Sequence, residues 1–323
     1  MKSPWEPAAA LDRLRERQGM LGAVRDWFYA RGVLEVETPL MGTAGTTDPM
    51  IRSFEVDGDR IGESGGRARW YLQTSPEFFM KRLLAAGSGD VFQICKAFRR
   101  DESGRLHNPE FTLLEWYRLG FSMEELVDEV EVLVRHLLPG LGVFRRHSYG
   151  EVFQSFLNVD PLSTGDAELK RVAAEAGIDI LGELDRSAWL QLLFTHLIEP
   201  QLKDEPGIFI YGFPAAQASL ARLDPGNPAV ARRFELYVGG IELANGYEEL
   251  VDGEEQARRF ARDTEQRRRK GLESVTVDGR FLDALRAGLP ACAGVALGID
   301  RLLMLRCGAQ HLDEVLAFPA AIS

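Results

Sequence analysis

Arg99, Arg100, Asp101 and Glu102 crowd one end of a polar stretch, Arg99 to Pro109, that closes on Phe111. A guanidinium at a strand end can grip a phosphate through paired hydrogen bonds, and an aromatic ring beside it can stack on a planar base. A second stretch, Gly239 to Leu250, sets Glu242 and Glu249 seven residues apart around Asn245-Gly246. Hard cations such as Mg2+ take a few carboxylates together with substrate phosphates, which suits this pair. In a third stretch, Gly294 to Leu305, small residues let a ligand approach the backbone, and Arg301 follows at the start of a helix, where it can lie over an aromatic face. Each stretch alone also reads as ordinary structure: a charged surface hairpin, a strand with an Asn-Gly turn, or a tightly packed strand–helix junction.

These residues need a frame. Val91 to Phe98 and Glu110 to Arg118 are β-rich and flank the polar stretch, which predicts a long antiparallel hairpin. Gly207 to Phe213 and Arg233 to Leu243 read as further strands, and Gly294 to Leu297 as a small-residue strand entering a helix over about Asp300 to Cys307. Ahead of the hairpin, Pro7 to Arg31 has the apolar spacing of an amphipathic helix, with Gly32 placed to end it. Val33 to Thr38 alternates like a half-buried strand and stops at Pro39. Residues 42–67 read as loops with a short strand near Ser53 to Val56, and Arg69 to Thr74 as another strand. Ser122 and Glu125 form a capping box that opens a helix. Ser163 to Ala176 and Ser187 to Ile198 are helical and mark 140–200 as an insertion or accessory helical subdomain. Glu254 to Lys270 is a charged helix with acids first and bases last, as its dipole favours, and Phe281 to Ala287 is a short one. The whole predicts an α+β fold: antiparallel β-sheet flanked by helices.

Composition narrows the function. The 323 residues, 45% hydrophobic, can bury a large core. No apolar run is long enough to span a bilayer, and Met1 to Ala10 lacks a secretory h-region, so a cytoplasmic, non-membrane protein is expected. Three scattered cysteines and dispersed histidines offer no disulfide framework or transition-metal spacing. The net charge of −11 argues against extensive nucleic-acid contact. Neither G-x-G-x-x-G nor the Walker A pattern occurs.

Together, the three stretches resemble motif 2, the acidic strand and motif 3 of class II aminoacyl-tRNA synthetases, and Val33 to Pro39 resembles the motif 1 strand. The chain is most similar to lysyl-tRNA synthetases and, among them, to the short paralogues that attach β-lysine to elongation factor P. The likeness runs from about residue 11 to 318 and includes Thr74-Ser75-Pro76-Glu77, His107 to Thr112, Glu115 to Arg118 and Glu242 to Gly246. It implies a single class II catalytic domain over 1–323 that binds ATP and Mg2+. Arg99 would hold the α-phosphate, with Arg100, Asp101 and Asn108 contacting ATP. Phe111 and Arg301 would sandwich the adenine, and Gly298 would lie against the nucleotide. Glu242 and Leu243 would bind ATP, with Glu242 and Glu249 at the metal. Ser75, Pro76, Glu77, Tyr117, Glu249 and Ala296 would line the amino-acid pocket. Where the family usually has Arg-Asn-Glu-Glu, this chain has Arg99-Arg100-Asp101-Glu102.

The resemblance further implies adenylate formation followed by transfer to a lysine of elongation factor P, in a homodimer built through motif 1. About ten residues precede the first helix, which leaves no room for an anticodon-binding OB-fold. Ala296 stands where lysyl-tRNA synthetases carry Gly, and its methyl group would crowd an α-amino group, which favours (R)-β-lysine over lysine. The competing expectations are a truncated synthetase that charges tRNA, a small-molecule amide synthetase, and a regulator that keeps the fold without catalysis.

Overall fold

The computed structural model describes Ser3 and residues 5–59, 67–180, 182 and 184–323. Met1, Lys2 and Pro4 of the N-terminal stretch, and 60–66 of the expected loop, lie outside the described residues. In chain order, α1 (Leu11–Tyr29) leads into β1 (Leu34–Glu35), β2 (Met41–Gly42), β3 (Glu55–Asp59), β4 (Arg67–Leu72), α2 (Glu77–Ala85), β5 (Val91–Phe98) and β6 (Glu110–Leu119). Next come α3 (Met123–Leu137), β7 (Arg145–Ser148), α4 (Tyr149–Leu157), α5 (Asp166–Glu175), α6 (Arg186–Leu193), β8 (Ile208–Tyr211), β9 (Arg233–Val238) and β10 (Ile241–Glu248). Then follow α7 (Gly253–Arg269), α8 (Gly279–Gly288), β11 (Cys292–Gly298) and α9 (Ile299–Cys307). The chain divides into two compact units, one of Met1–Gly120 with Val251–Ser323, the other Phe121–Leu250.

In the first unit, β1, β5, β6 and β11 lie side by side in that order, and β2, β4 and β3 make a smaller sheet. The β5–β6 hairpin forms as its sequence predicts, with Phe98 opposite Glu110. β1 is parallel to β5, and in the second unit β7 is parallel to β8, so the sheets are mixed rather than wholly antiparallel. One sheet face is packed with aromatic side chains: Phe28 of α1 stacks on Phe92 at 4.5 Å and meets Trp116 edge-on at 5.3 Å. Trp116 is fully buried, and truncating such a side chain costs roughly 3–5 kcal/mol. α1 begins later than Pro7 because Ala8 and Ala9 donate instead to the carbonyls of Ala317 and Leu316.

The second unit holds β10, β9, β8 and β7 in that order, backed by an apolar cluster that includes Tyr149, Phe153, Phe194, Phe213 and Tyr237. The Ser122–Glu125 capping box is present at the start of α3. The expected strand from Arg233 to Leu243 is instead two strands joined at Gly239-Gly240, both with positive φ. Gly-Gly suits such a hairpin turn, and a side chain at Gly240 would also meet the Lys203 backbone at 3.1 Å. Asn245-Gly246 lies inside β10 rather than at a turn.

Candidate active site

The β5–β6–β11 register brings the first group of candidate residues together. Gln93 and Ala296 both lie opposite Glu115, Ala97 lies opposite Phe111, Val91 and Gly294 opposite Tyr117, and Gly298 opposite Leu113. Paired residues share a sheet face and alternate residues return to it. Phe111, Glu115, Tyr117, Ala296 and Gly298 therefore stand on one face, with Thr112, Leu114 and Trp116 on the other. Arg99 follows β5 and remains tied to the hairpin through its N–H to the Pro109 carbonyl.

Arg99 and Phe111 form the outer end of this face. The guanidinium carbon lies 5.0 Å from the Phe111 ring centroid. Its polar contacts are long, 3.4 Å from Nε to the Thr74 carbonyl and 3.4 Å from Nη1 to Glu102. Arg301 on α9 donates from Nε to the Leu106 carbonyl at 3.2 Å, and its Nη2 lies 2.8 Å from His107 Nε2, so motif 3 reaches the hairpin loop. Asp300 seats it: Oδ2 accepts from the Thr112 N–H at 2.7 Å, and Oδ1 pairs with Arg17. Asn108 is buried; its amide donates to the Glu110 carbonyl at 2.6 Å and accepts from the Ala320 N–H at 2.9 Å. Asp101 adopts φ +70°, a left-handed conformation that a short polar side chain tolerates, and pairs with Arg52 at 2.6 Å. Arg100 faces Glu273 at 3.4 Å. A side chain added at Gly298 would meet Arg301 first, at an ordinary 3.7 Å, so packing by itself does not demand glycine there.

Four residues from sequence reasoning meet at the inner end, with two more that it missed. Glu115 is buried, accepting from Ser75 Oγ at 2.7 Å and from Tyr117 Oη at 2.7 Å. Ser75 also caps the Glu77 N–H at 3.1 Å, and buried Pro76 precedes Glu77 at the start of α2. Glu77 Oε1 lies 2.5 Å from the ammonium of Lys81, one helical turn on. Burial, followed by the charge of Glu77, pushes the Glu115 carboxyl up to about 7, opposed by Ser75, Tyr117 and Lys81. Burial, then the charge of Glu115, pushes the Cys95 thiol up to about 12, which leaves it protonated and unsuited to nucleophilic work. Such a cluster can bind a cationic ligand group through charge-assisted hydrogen bonds. The Glu77–Lys81 spacing of four was a readable clue to the pair. The burial of Glu115 and Lys81 was not readable, because it comes from packing α2 over the sheet.

Glu242, Leu243 and Glu249 belong to the second unit. Glu242 lies opposite Tyr237, yet Ala244 lies opposite Leu236, so the register shifts at Leu243. Beyond the shift, Asn245 faces Glu235 and Tyr247 faces Arg233. The surplus residue thus carries Glu242 to the same face as Asn245 and Tyr247, as a bulge does when it re-aims a side chain. Arg233, Glu235 and Tyr237 occupy that face of β9, where Tyr237 donates to Glu235 at 2.6 Å and Arg233 pairs with the same carboxylate. Glu249 is buried just after β10 and bridges to Ala221. Two carboxylates can serve Mg2+ that also binds phosphates. Among the described residues, no three His, Cys, Asp or Glu side chains are grouped to hold a metal by themselves.

An arginine beside an aromatic ring, a buried acid pocket on the same sheet face and Arg301 against the hairpin loop have the arrangement of a class II synthetase-type site. In agreement, the family model for class II tRNA synthetases (D, K and N) matches residues 7–322, and the chain belongs to that family. Its relatives are more particular. Elongation factor P–(R)-β-lysine ligase of Vibrio vulnificus is 47% identical over 325 residues, covering 100% of both chains. The ligases so named from Vibrio cholerae and Klebsiella pneumoniae are 49% and 48% identical, covering 98% and 97% of each chain respectively.

Proposed function

We propose that this chain is an ATP-dependent, AMP-forming ligase that activates lysine, preferentially (R)-β-lysine, and transfers it to a lysine side chain of elongation factor P. The observation that carries this reading is the buried Glu115 pocket with Glu77 and Tyr117, on the sheet face that also bears Arg99 and Phe111. The full-length likeness to the named ligases supports the acceptor. Ala296, directly across from Glu115, brings a methyl group into the row where the amino acid would sit, which supports the β-isomer.

In the first step the substrate carboxylate attacks the α-phosphorus, the bond to the bridging oxygen breaks and pyrophosphate leaves. Arg99 would offer paired donors to the α-phosphate, with Arg100, Asp101 and Asn108 along the triphosphate and ribose. Phe111 and Arg301 would flank the adenine, and Gly298 would leave its edge uncrowded. Glu115, Glu77 and Tyr117, with Ser75 and Pro76 shaping the wall, would hold the amino acid. For Glu242, Leu243 and Glu249 the motif match supports ATP and Mg2+ binding, and the metal would supply charge neutralisation on the phosphates. Positioning and electrostatics carry such a reaction without an enzyme nucleophile. In the second step an acceptor ε-amine attacks the adenylate carbonyl and loses a proton, and AMP departs as the amide forms.

The proposed unit of function is a single catalytic domain over 1–323, in a cytoplasmic homodimer. The half-exposed Tyr29 at the end of α1 and Leu34 in the motif 1 strand support the dimer. No described helix is long and apolar enough to cross a membrane. Pyrophosphate exchange with lysine, (R)-β-lysine and aspartate tests the first step, with (R)-β-lysine expected to be strongest. A signal from aspartate alone would end the lysine assignment. Mass spectrometry of elongation factor P and of tRNA after incubation tests the acceptor, and a gain on tRNA alone would favour a truncated synthetase instead.

A further inference from the structure

Lys81 is buried on α2, 1% exposed, an unusual place for an ammonium. Glu–Lys pairs one helical turn apart normally lie on the surface, whereas burying a charge is costly unless it is matched. Here the ammonium lies 2.5 Å from Glu77, 6.0 Å from the Tyr117 ring centroid and 5.9 Å from that of Phe281. It is therefore built into the wall of the pocket that holds Glu115.

The surroundings of Glu115 can be followed element by element. From α2 come Glu77 and Lys81; from β6, Tyr117; from β5, the Cys95 thiol and the uncharged Gln93; from β11, the uncharged Ala296; and from the turn before α2, Ser75. With both acids ionised and Lys81 charged, the group carries one surplus negative charge. Without Lys81, two carboxylates would share a desolvated site, and like charges so placed make one retain a proton.

We infer that Lys81 is a positioning and specificity-determining residue that pins Glu77 and favours the carboxylate form of Glu115, so that these three groups together present a surplus negative charge to one ammonium of the entering amino acid. This deepens the lysine-ligase reading and rests on it for the identity of the ligand. Lys81 touches neither substrate nor nucleotide in this role; it acts through Glu77 and Glu115.

The test is a carboxyl NMR titration of Glu115 in the full-length protein, which needs no substrate, alongside thermal unfolding and pyrophosphate exchange. Lys81→Met should move the Glu115 midpoint upward by about one unit, the size expected when one nearby charge is lost. At neutral pH its KM for the amino acid should rise about tenfold, with the gap closing as pH increases, while KM for ATP holds. Lys81→Arg keeps the charge and should keep the wild-type midpoint. If Lys81→Met does not fold, the double variant Lys81→Met with Glu77→Gln removes both charges and should titrate at or below wild type. An unmoved midpoint in Lys81→Met, an equal shift in Lys81→Arg, or a double variant titrating above wild type would each overturn the inference. Failure of exchange with both lysine isomers in the wild-type protein would strike the substrate reading alone and leave the titration to judge Lys81.

Discussion

The inner and outer ends of one sheet face use similar charged residues under different restraint. At the inner end both oxygens of Glu115 accept hydrogen bonds of 2.7 Å, and Lys81 is sealed beneath Glu77. At the outer end Arg99 rests on Phe111 with 3.4 Å polar contacts, and Asp101 and Arg52 meet where solvent reaches both. A buried, fully bonded group is already arranged for its ligand, whereas weak exposed contacts are readily exchanged for those of a phosphate. On the proposed assignment, the difference teaches that amino-acid recognition would be pre-organised, while the nucleotide end would have bonds to trade.

Four measurements would sharpen or break that contrast. The largest effect should come from Arg99→Ala, which should slow pyrophosphate exchange by about 10^3-fold, the loss expected for a group that stabilises transition-state charge. KM for the amino acid should change little, and a loss of only a few-fold would remove Arg99 from the phosphate. Next, Glu115→Gln should raise KM for the amino acid by about 10^2-fold, in line with roughly 2–3 kcal/mol for a charge-assisted bond, and leave KM for ATP alone.

The third is pH. Because the Glu115 carboxyl is raised from 4.5 to about 7, substrate ammonium should bind progressively less well below neutrality, seen as an acidic limb in kcat/KM for the amino acid. Its linkage to folding runs the other way. Between those values the folded state holds the proton more tightly than the unfolded chain, so this group's contribution to stability declines as pH rises through the window, which denaturant titrations at several pH values can follow. The smallest effect is expected from Arg52→Ala. An exposed ion pair contributes about 0.2–1 kcal/mol, so KM for ATP should change less than about fivefold and Tm only slightly. A hundredfold change would mean that the outer end is as firmly built as the inner one.

Local signals carried the sequence reading as far as they reached. The hairpin around Arg99 and Phe111, the Ser122–Glu125 capping box and the helix bearing Arg301 are all written in short-range residue patterns. The same logic applied attentively would have found α4, which opens with its own capping box at Ser148 and Glu151, and would have read Gly239-Gly240 as a turn. What stayed hidden depends on residues far apart in sequence. Asp300 became important only once it reached the Thr112 N–H and Arg17. Nothing local marked Glu115 or Lys81 as buried, since that follows from α2 packing over the sheet. The resemblance to a known family supplied roles for Glu242 and Glu249, but not how the backbone presents the first of them.

That presentation rests on parity. Glu242 and Glu249 are separated by an odd interval, and in a perfectly regular strand they would look in opposite directions. The irregularity at Leu243 repairs the count. Losing or gaining one residue between Glu242 and Glu249 would therefore turn one acid to the opposite face of the ribbon from the other, although no acid had been replaced. Under the proposed metal role of these two acids, a single-residue deletion here should cost activity as surely as replacing one of them, so length would matter in this segment as much as composition.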